Sequence, residues 1–195
     1  GLSVIFSETG FSYAILDFKQ NKYLGVSQLA RTIVQPPDVL TNSTQLFDDF
    51  LGSIFETMPW LKNPYKIVKI AYEGKKSTLI PALLFNPEEK EAYLMFSFQQ
   101  SEEELVFSDH LIPMDSYQVF ALPVPVLHTI NGYFPNNKIV HFSSVLIESI
   151  WINYKNRINS HHLFLHLREK FFDLMIFDGQ LMTYFNTFPF QNPED

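Results

Sequence analysis

The sequence contains no cysteine. That removes disulfides, thiolate metal ligands and cysteine nucleophiles together, and it fits a reducing cytoplasm. No apolar run approaches the roughly 18 residues of a membrane-spanning helix, and the N-terminus lacks a signal-peptide pattern. Positive charge is scarce: 14 Lys and Arg stand against 21 Asp and Glu, for a net charge of -7. No Lys/Arg cluster reverses that balance locally, so neither nucleic acid nor an anionic membrane surface is an expected partner. A Walker loop, a dinucleotide glycine motif, a calcium loop and a Gly-x-Ser-x-Gly elbow are all missing. Each absence closes one common class of chemistry.

What is present is apolar and aromatic. Of 195 residues, 46% are hydrophobic and 16% aromatic, with twenty Phe. This is enough to bury a core, and the length suits one large domain or two small ones.

The chain is organised around residues 161–188, HHLFLHLREKFFDLMIFDGQLMTYFNTF, which read as three strands with tight turns. Residues 2–30 echo them. With Phe11 set on Phe172, Ile15-Leu16-Asp17 falls on Ile176-Phe177-Asp178, and Glu8 on Glu169. In both copies an apolar strand ends in an Asp that opens a turn, and Asp178-Gly179 is a strong hairpin signal. The echo is read as duplication of a half-domain, the competing reading being two unrelated meanders.

Between the echoes, Phe47, Phe50, Leu51, Ile54 and Phe55 lie three and four apart on one helix face, with Ser43 or Thr44 as cap. Residues 66–72 alternate like a strand, and Pro81 makes residues 78–85 an edge strand or one that ends early. Asn86-Pro87-Glu88-Glu89 reads as the start of a helix through residue 98, and 105–107 as a short strand. Residues 118–123 form a continuous apolar run typical of a strand buried on both faces. A helix at 124–134, a strand at 138–142 and a helix at 144–156 follow. Helical crossovers between apolar strands predict a partly parallel, mixed sheet. Asn192-Pro193-Glu194-Asp195 has the order of a helix start, so a further segment is expected after it.

Scattered polar residues invite chemistry. His162 and His166 share a strand face but lie about 13 Å apart at ~3.3 Å per residue, too far to share an ion. His161, His162 and His166 are therefore read as ordinary strand histidines. His141 with Ser143, and Asp109 with His110, are read as capping and surface residues, and Asp17 and Asp178 as turn residues. The aromatic pairs Phe171-Phe172 and Tyr184-Phe185 are read mainly as core.

The order of elements resembles the actin-like ATPase superfamily, whose halves each open with a three-stranded meander. More narrowly, LSVIFSETGFSYAILD, TLIPALLF, FALPVPVL and IFDGQLMTYFNTFPF resemble an uncharacterised bacterial family with an actin-like ATPase fold. The resemblance implies an α/β, ribonuclease H-like fold with a mixed sheet, the first half complete and the second only begun. Residues 1–157 would be the first half-domain, with 66–108 an insertion, and 158–195 the opening meander of the second. It also implies a phosphate loop after the first strand of each half. At the first loop stand Ser7, Glu8, Thr9 and Gly10, without the superfamily's Asp. At the second stand Arg168, Glu169 and Lys170, bulky where small residues let backbone N–H groups close on phosphate.

The leading expectation is a cytoplasmic, non-catalytic protein with degenerate phosphate loops that works through a protein partner and needs no cofactor. The alternative is an ATP-dependent phosphotransferase or ATPase using ATP-Mg²⁺ at Ser7–Gly10, with catalytic parts in a C-terminal region beyond residue 195. A third reading is a plain binding domain whose repeated meander is coincidental.

Overall fold

The computed structural model describes residues 1–7, 10–30, 43–99, 101, 103–157, 159–168 and 171–190. In chain order they form β1 (Leu2–Ser7), β2 (Gly10–Asp17), β3 (Lys22–Ala30), α1 (Ser43–Thr57), β4 (Val68–Glu73), β5 (Ser77–Pro81), α2 (Lys90–Met95), β6 (Glu104–Leu111), β7 (Ser116–Pro123), α3 (Val124–Tyr133), β8 (Ile139–His141), α4 (Phe142–Tyr154), β9 (His161–Leu167), β10 (Phe171–Asp178) and β11 (Leu181–Pro189). Two compact units result. One comprises Gly1–Gly74, Gln100–Leu105 and Ala121–Phe142; the other comprises Lys75–Gln99, Val106–Phe120 and Ser143–Asp195. No helix among the described residues is long and apolar enough to cross a membrane.

The first unit is built on a five-stranded sheet ordered β3-β2-β1-β4-β8. Strands β1 to β3 form an antiparallel meander, while β4 runs parallel to β1 and β8 parallel to β4. The sheet is mixed, as the crossover pattern predicts. Alternation in β1 sends Leu2, Val4 and Phe6 to the buried face, and Phe6 lies opposite Phe11 of β2. The apolar stripe of α1 covers that face: Phe47 and Phe55 bring their rings to 6.3 Å from Phe6 and 6.2 Å from Phe11. Phe47, Leu51, Ile54 and Phe55 are all buried. Each such side chain contributes about 1.5–3 kcal/mol by leaving water.

Two sequence expectations are corrected here. The segment 66–72 was expected inside an insertion at 66–108, yet β4 pairs in parallel with β1 along its whole length. Lys75–Gln99 and Val106–Phe120, which carry β5, α2, most of β6 and most of β7, fall in the other unit. The run at 118–123 was expected in the main sheet. It lies in β7, which pairs antiparallel with β5 in a separate sheet ordered β5-β7-β6. A continuous apolar run reports cover on both faces, which β7 has, and is silent about strand direction. Pro81 ends β5, an edge strand, as expected from its missing N–H.

The second unit holds most of that sheet, nearly all of α4 and the second meander, ordered β11-β10-β9. Its core joins Leu111, Met114, Ile147, Ile150, Met175 and Phe177. Helix α4 belongs to this unit, where its Ile147 and Ile150 pack with Met175 and Phe177 of β10.

The two meanders share their pairing register. Phe6 faces Phe11 as Leu167 faces Phe172, and Val4 faces Tyr13 as Leu165 faces Leu174. Each middle strand carries an irregularity at the equivalent step, Ile15/Leu16 and Ile176/Phe177. They differ in the next turn. Asp17 pairs with Lys22 and caps its turn by accepting from the N–H groups of Lys19 and Gln20. Asp178 pairs with Leu181 across a tighter turn, where Gly179 has φ +57. That left-handed value suits a residue without Cβ.

Candidate functional site

The superfamily's chemistry would sit at the first turn of each meander. At the first, Ser7 ends β1 and pairs with Gly10, and its Oγ donates to the Gly10 carbonyl at 3.2 Å. A Cβ on Gly10 would lie 2.5 Å from the carbonyl oxygen of Leu29. The crowding comes from the neighbouring strand, so sheet packing by itself is a reason for glycine here. Glu8 and Thr9, the other two expected site residues, lie outside the described residues.

Gly10→Ala tests that explanation. An alanine would normally stabilise a strand by reducing unfolded-state entropy, but here it must displace backbone. The expected result is a loss of about 1–2 kcal/mol, within the range for overpacking, measured by urea denaturation followed at Trp60. A neutral or stabilised variant would return the glycine to a ligand-binding explanation.

At the second turn the Arg168 N–H donates to the Phe171 carbonyl at 2.8 Å. The Arg168 side chain turns inward, and its Nη2 donates to Asp173 Oδ1 at 2.8 Å. Glu169 and Lys170 lie outside the described residues. Asp173 is fully buried and also accepts from His166 Nδ1 at 3.0 Å and from Thr187 Oγ1 at 2.7 Å. Burial alone would raise its pKa; the hydrogen bonds from His166 and Thr187 and the Arg168 charge outweigh that and hold it below the usual 3.8. Strand periodicity explains the position: Asp173, Met175 and Phe177 alternate onto one face of β10, all buried. A carboxylate at the head of an apolar face is the sequence signal for this cluster, and neither Asp173 nor Thr187 was anticipated from the sequence.

Of the remaining polar candidates, Asp109, His141 and Ser143 were expected in capping and surface positions and are buried instead. His162 Nδ1 meets the Ser160 carbonyl at 3.1 Å, and His161 lies 3.5 Å from Asp178 at the surface. Only His166 of the three enters a buried network. His141 is buried, with Nε2 3.3 Å from the Gly74 carbonyl. Asp109 accepts from Ser144 Oγ at 2.8 Å, while His110 stacks on Tyr117 at 4.4 Å. Among the described residues no group of three His, Asp or Glu side chains is arranged to hold a metal ion.

A further concave place lies between α1 and α3. It is an open groove of about 490 Å³, lined by Asp48, Pro125, His128, Thr129, Gly132 and Tyr133. Thr129 Oγ1 donates to Asp48 Oδ1 across it. The Tyr133 ring stacks on Phe55 at 4.0 Å, and burial, then Asp48 and Glu56, push its hydroxyl pKa up.

The fold is that of actin-like ATPases. A Bacteroides thetaiotaomicron VPI-5482 protein with actin-like ATPase fold and unknown function matches with a TM-score of 0.84 and 23% identity, over 99% of this chain and 71% of that one. A chain of the PilM–PilN type IV pilus biogenesis complex matches with a TM-score of 0.60 and 11% identity, over 97% of this chain and 61% of that one. No curated protein sequence matches. The family described as "Protein of unknown function (DUF3822)" matches over residues 1–195, and the chain belongs to it.

Proposed function

We propose that the protein is a non-catalytic member of the actin-like fold, acting in the cytoplasm through contacts with a protein partner. One observation carries the reading: at the turn where the second meander would hold phosphate, Arg168 is committed to buried Asp173. Its N–H is likewise committed to the Phe171 carbonyl. A phosphate site needs free N–H groups converging on the ligand, and the backbone N–H and Nη2 of Arg168 are already engaged within the protein. The shared register of the two meanders supports duplication of a half-domain, followed by divergence of its loops. The PilM–PilN complex shares the fold and is an assembly of two proteins, which fits a fold used for protein contacts.

The test is calorimetric titration of ATP-Mg²⁺ into the full-length protein, with a phosphate-release assay alongside. No heat of binding and no release above background are expected. Hydrolysis that Glu8→Ala abolishes would overturn the proposal in favour of an ATPase or phosphotransferase.

A further inference from the structure

We infer that the groove between α1 and α3 is a docking site for a partner segment that presents an arginine side chain. This names the partner chemistry for the protein-contact role proposed above and rests on that role. The groove follows from helical spacing. Asp48, Gly52 and Glu56 recur every fourth residue and so share one face of α1. That face meets α3, because a Cβ on Gly52 would lie 3.7 Å from the Tyr133 hydroxyl. On the other wall a Cβ on Gly132 would meet nothing within 4 Å. Glycine on each helix leaves the space open, and its volume of about 490 Å³ falls within the roughly 300–1,000 Å³ of ligand-sized sites.

Charge selects the occupant. Asp48 lines the groove, and its charge and that of Glu56 on the same helix face both reach the Tyr133 hydroxyl, on a protein already at -7. The molecule itself places a cation near the aromatic wall: Lys62 Nζ sits 5.8 Å from the Tyr133 ring centroid and 5.9 Å from that of Phe55. A guanidinium suits the vacant part better than an ammonium, since its planar fork can bond a carboxylate while its face lies on an aromatic ring.

The probe is N-acetylarginine methylamide, titrated into the full-length protein without nucleotide and followed by amide NMR shifts. Saturating shifts confined to Gly52, Thr129, Gly132, Tyr133 and their neighbours are expected. The lysine analogue should bind several-fold more weakly and the glutamate analogue not at all. Asp48→Asn with Glu56→Gln should weaken binding by roughly tenfold or more, because both charge-assisted contacts are lost. Gly132→Leu should abolish it by filling the groove, and its circular dichroism should stay unchanged because leucine is the better helix former. Absent or scattered shifts, equal binding of the lysine analogue, or full binding by Gly132→Leu would each overturn the inference. Concentration-dependent shifts of the same amides without probe would also overturn it, making the occupant a second copy of this chain. ATP hydrolysis would instead sink the proposed function and leave the groove titration as it stands.

Discussion

Replacing Asp173 with Asn is expected to destabilise the second unit by about 3–5 kcal/mol, the usual result of removing one partner from a buried ion pair. The substitution keeps size and shape, so the loss isolates charge. Arg168, with a side chain only 11% exposed, would be left in a nearly closed site opposite an uncharged amide. Denaturation followed at Trp151, with Trp60 replaced by Phe, reads the unit that contains the cluster. Arg168→Gln should cost less, because His166 and Thr187 still bond the carboxylate. The double variant should lose less than the two single losses added together, as coupled residues do. Additive losses would mean the ion pair contributes nothing.

The same cluster sets a pH dependence. The folded-state pKa of Asp173 is lowered relative to its ordinary value, so the folded state favours the ionised form. Its stabilising contribution is fully present above the unfolded carboxylate pKa of about 3.9. It is lost as pH falls through the lower folded value. Acid titration of wild type should show this extra loss, and Asp173→Asn should lack it.

Much of the fold was legible because its signals are local. Phe11 set on Phe172 located two meanders whose registers coincide, since period-two alternation and an Asp at the turn are written in adjacent residues. The stripe of α1 was legible for the same reason. Sheet membership was not. Residues 66–72 read correctly as a strand, but their parallel pairing with β1 is made with residues far away in the chain. At the candidate site, the Leu29 carbonyl on the next strand crowds Gly10, a reason for glycine that sequence alone cannot show. Asp173 could have been found: its place on the Met175 and Phe177 face predicts a buried carboxylate, which then needs partners. The identity of those partners depended on pairing across β9 and β11. The groove was not anticipated from the sequence, because only the fold brings α3 against the face of α1 that carries Asp48 and Gly52.

Phe55→Ala is expected to cost about 3–5 kcal/mol in the first unit, the range for truncating a buried Phe. Phe55 is 1% exposed and touches three aromatic neighbours in different geometries. It stacks on Tyr133 at 4.0 Å, meets Phe134 edge-on at 5.5 Å and lies tilted 6.2 Å from Phe11. It is therefore the side chain through which α1 holds both the sheet and the end of α3. Phe55→Leu restores most of the volume without the ring, and should cost less than the alanine variant by the part that is cavity. What leucine cannot restore is the stacking surface that orients Tyr133. The two variants consequently separate stability from the groove. Followed at Trp60, Phe55→Leu should remain folded under conditions where Phe55→Ala is largely unfolded, while the Tyr133 amide shifts in the leucine variant. If leucine left the Tyr133 environment unchanged, the ring would be held by α3 alone, and the groove's shape would owe nothing to α1.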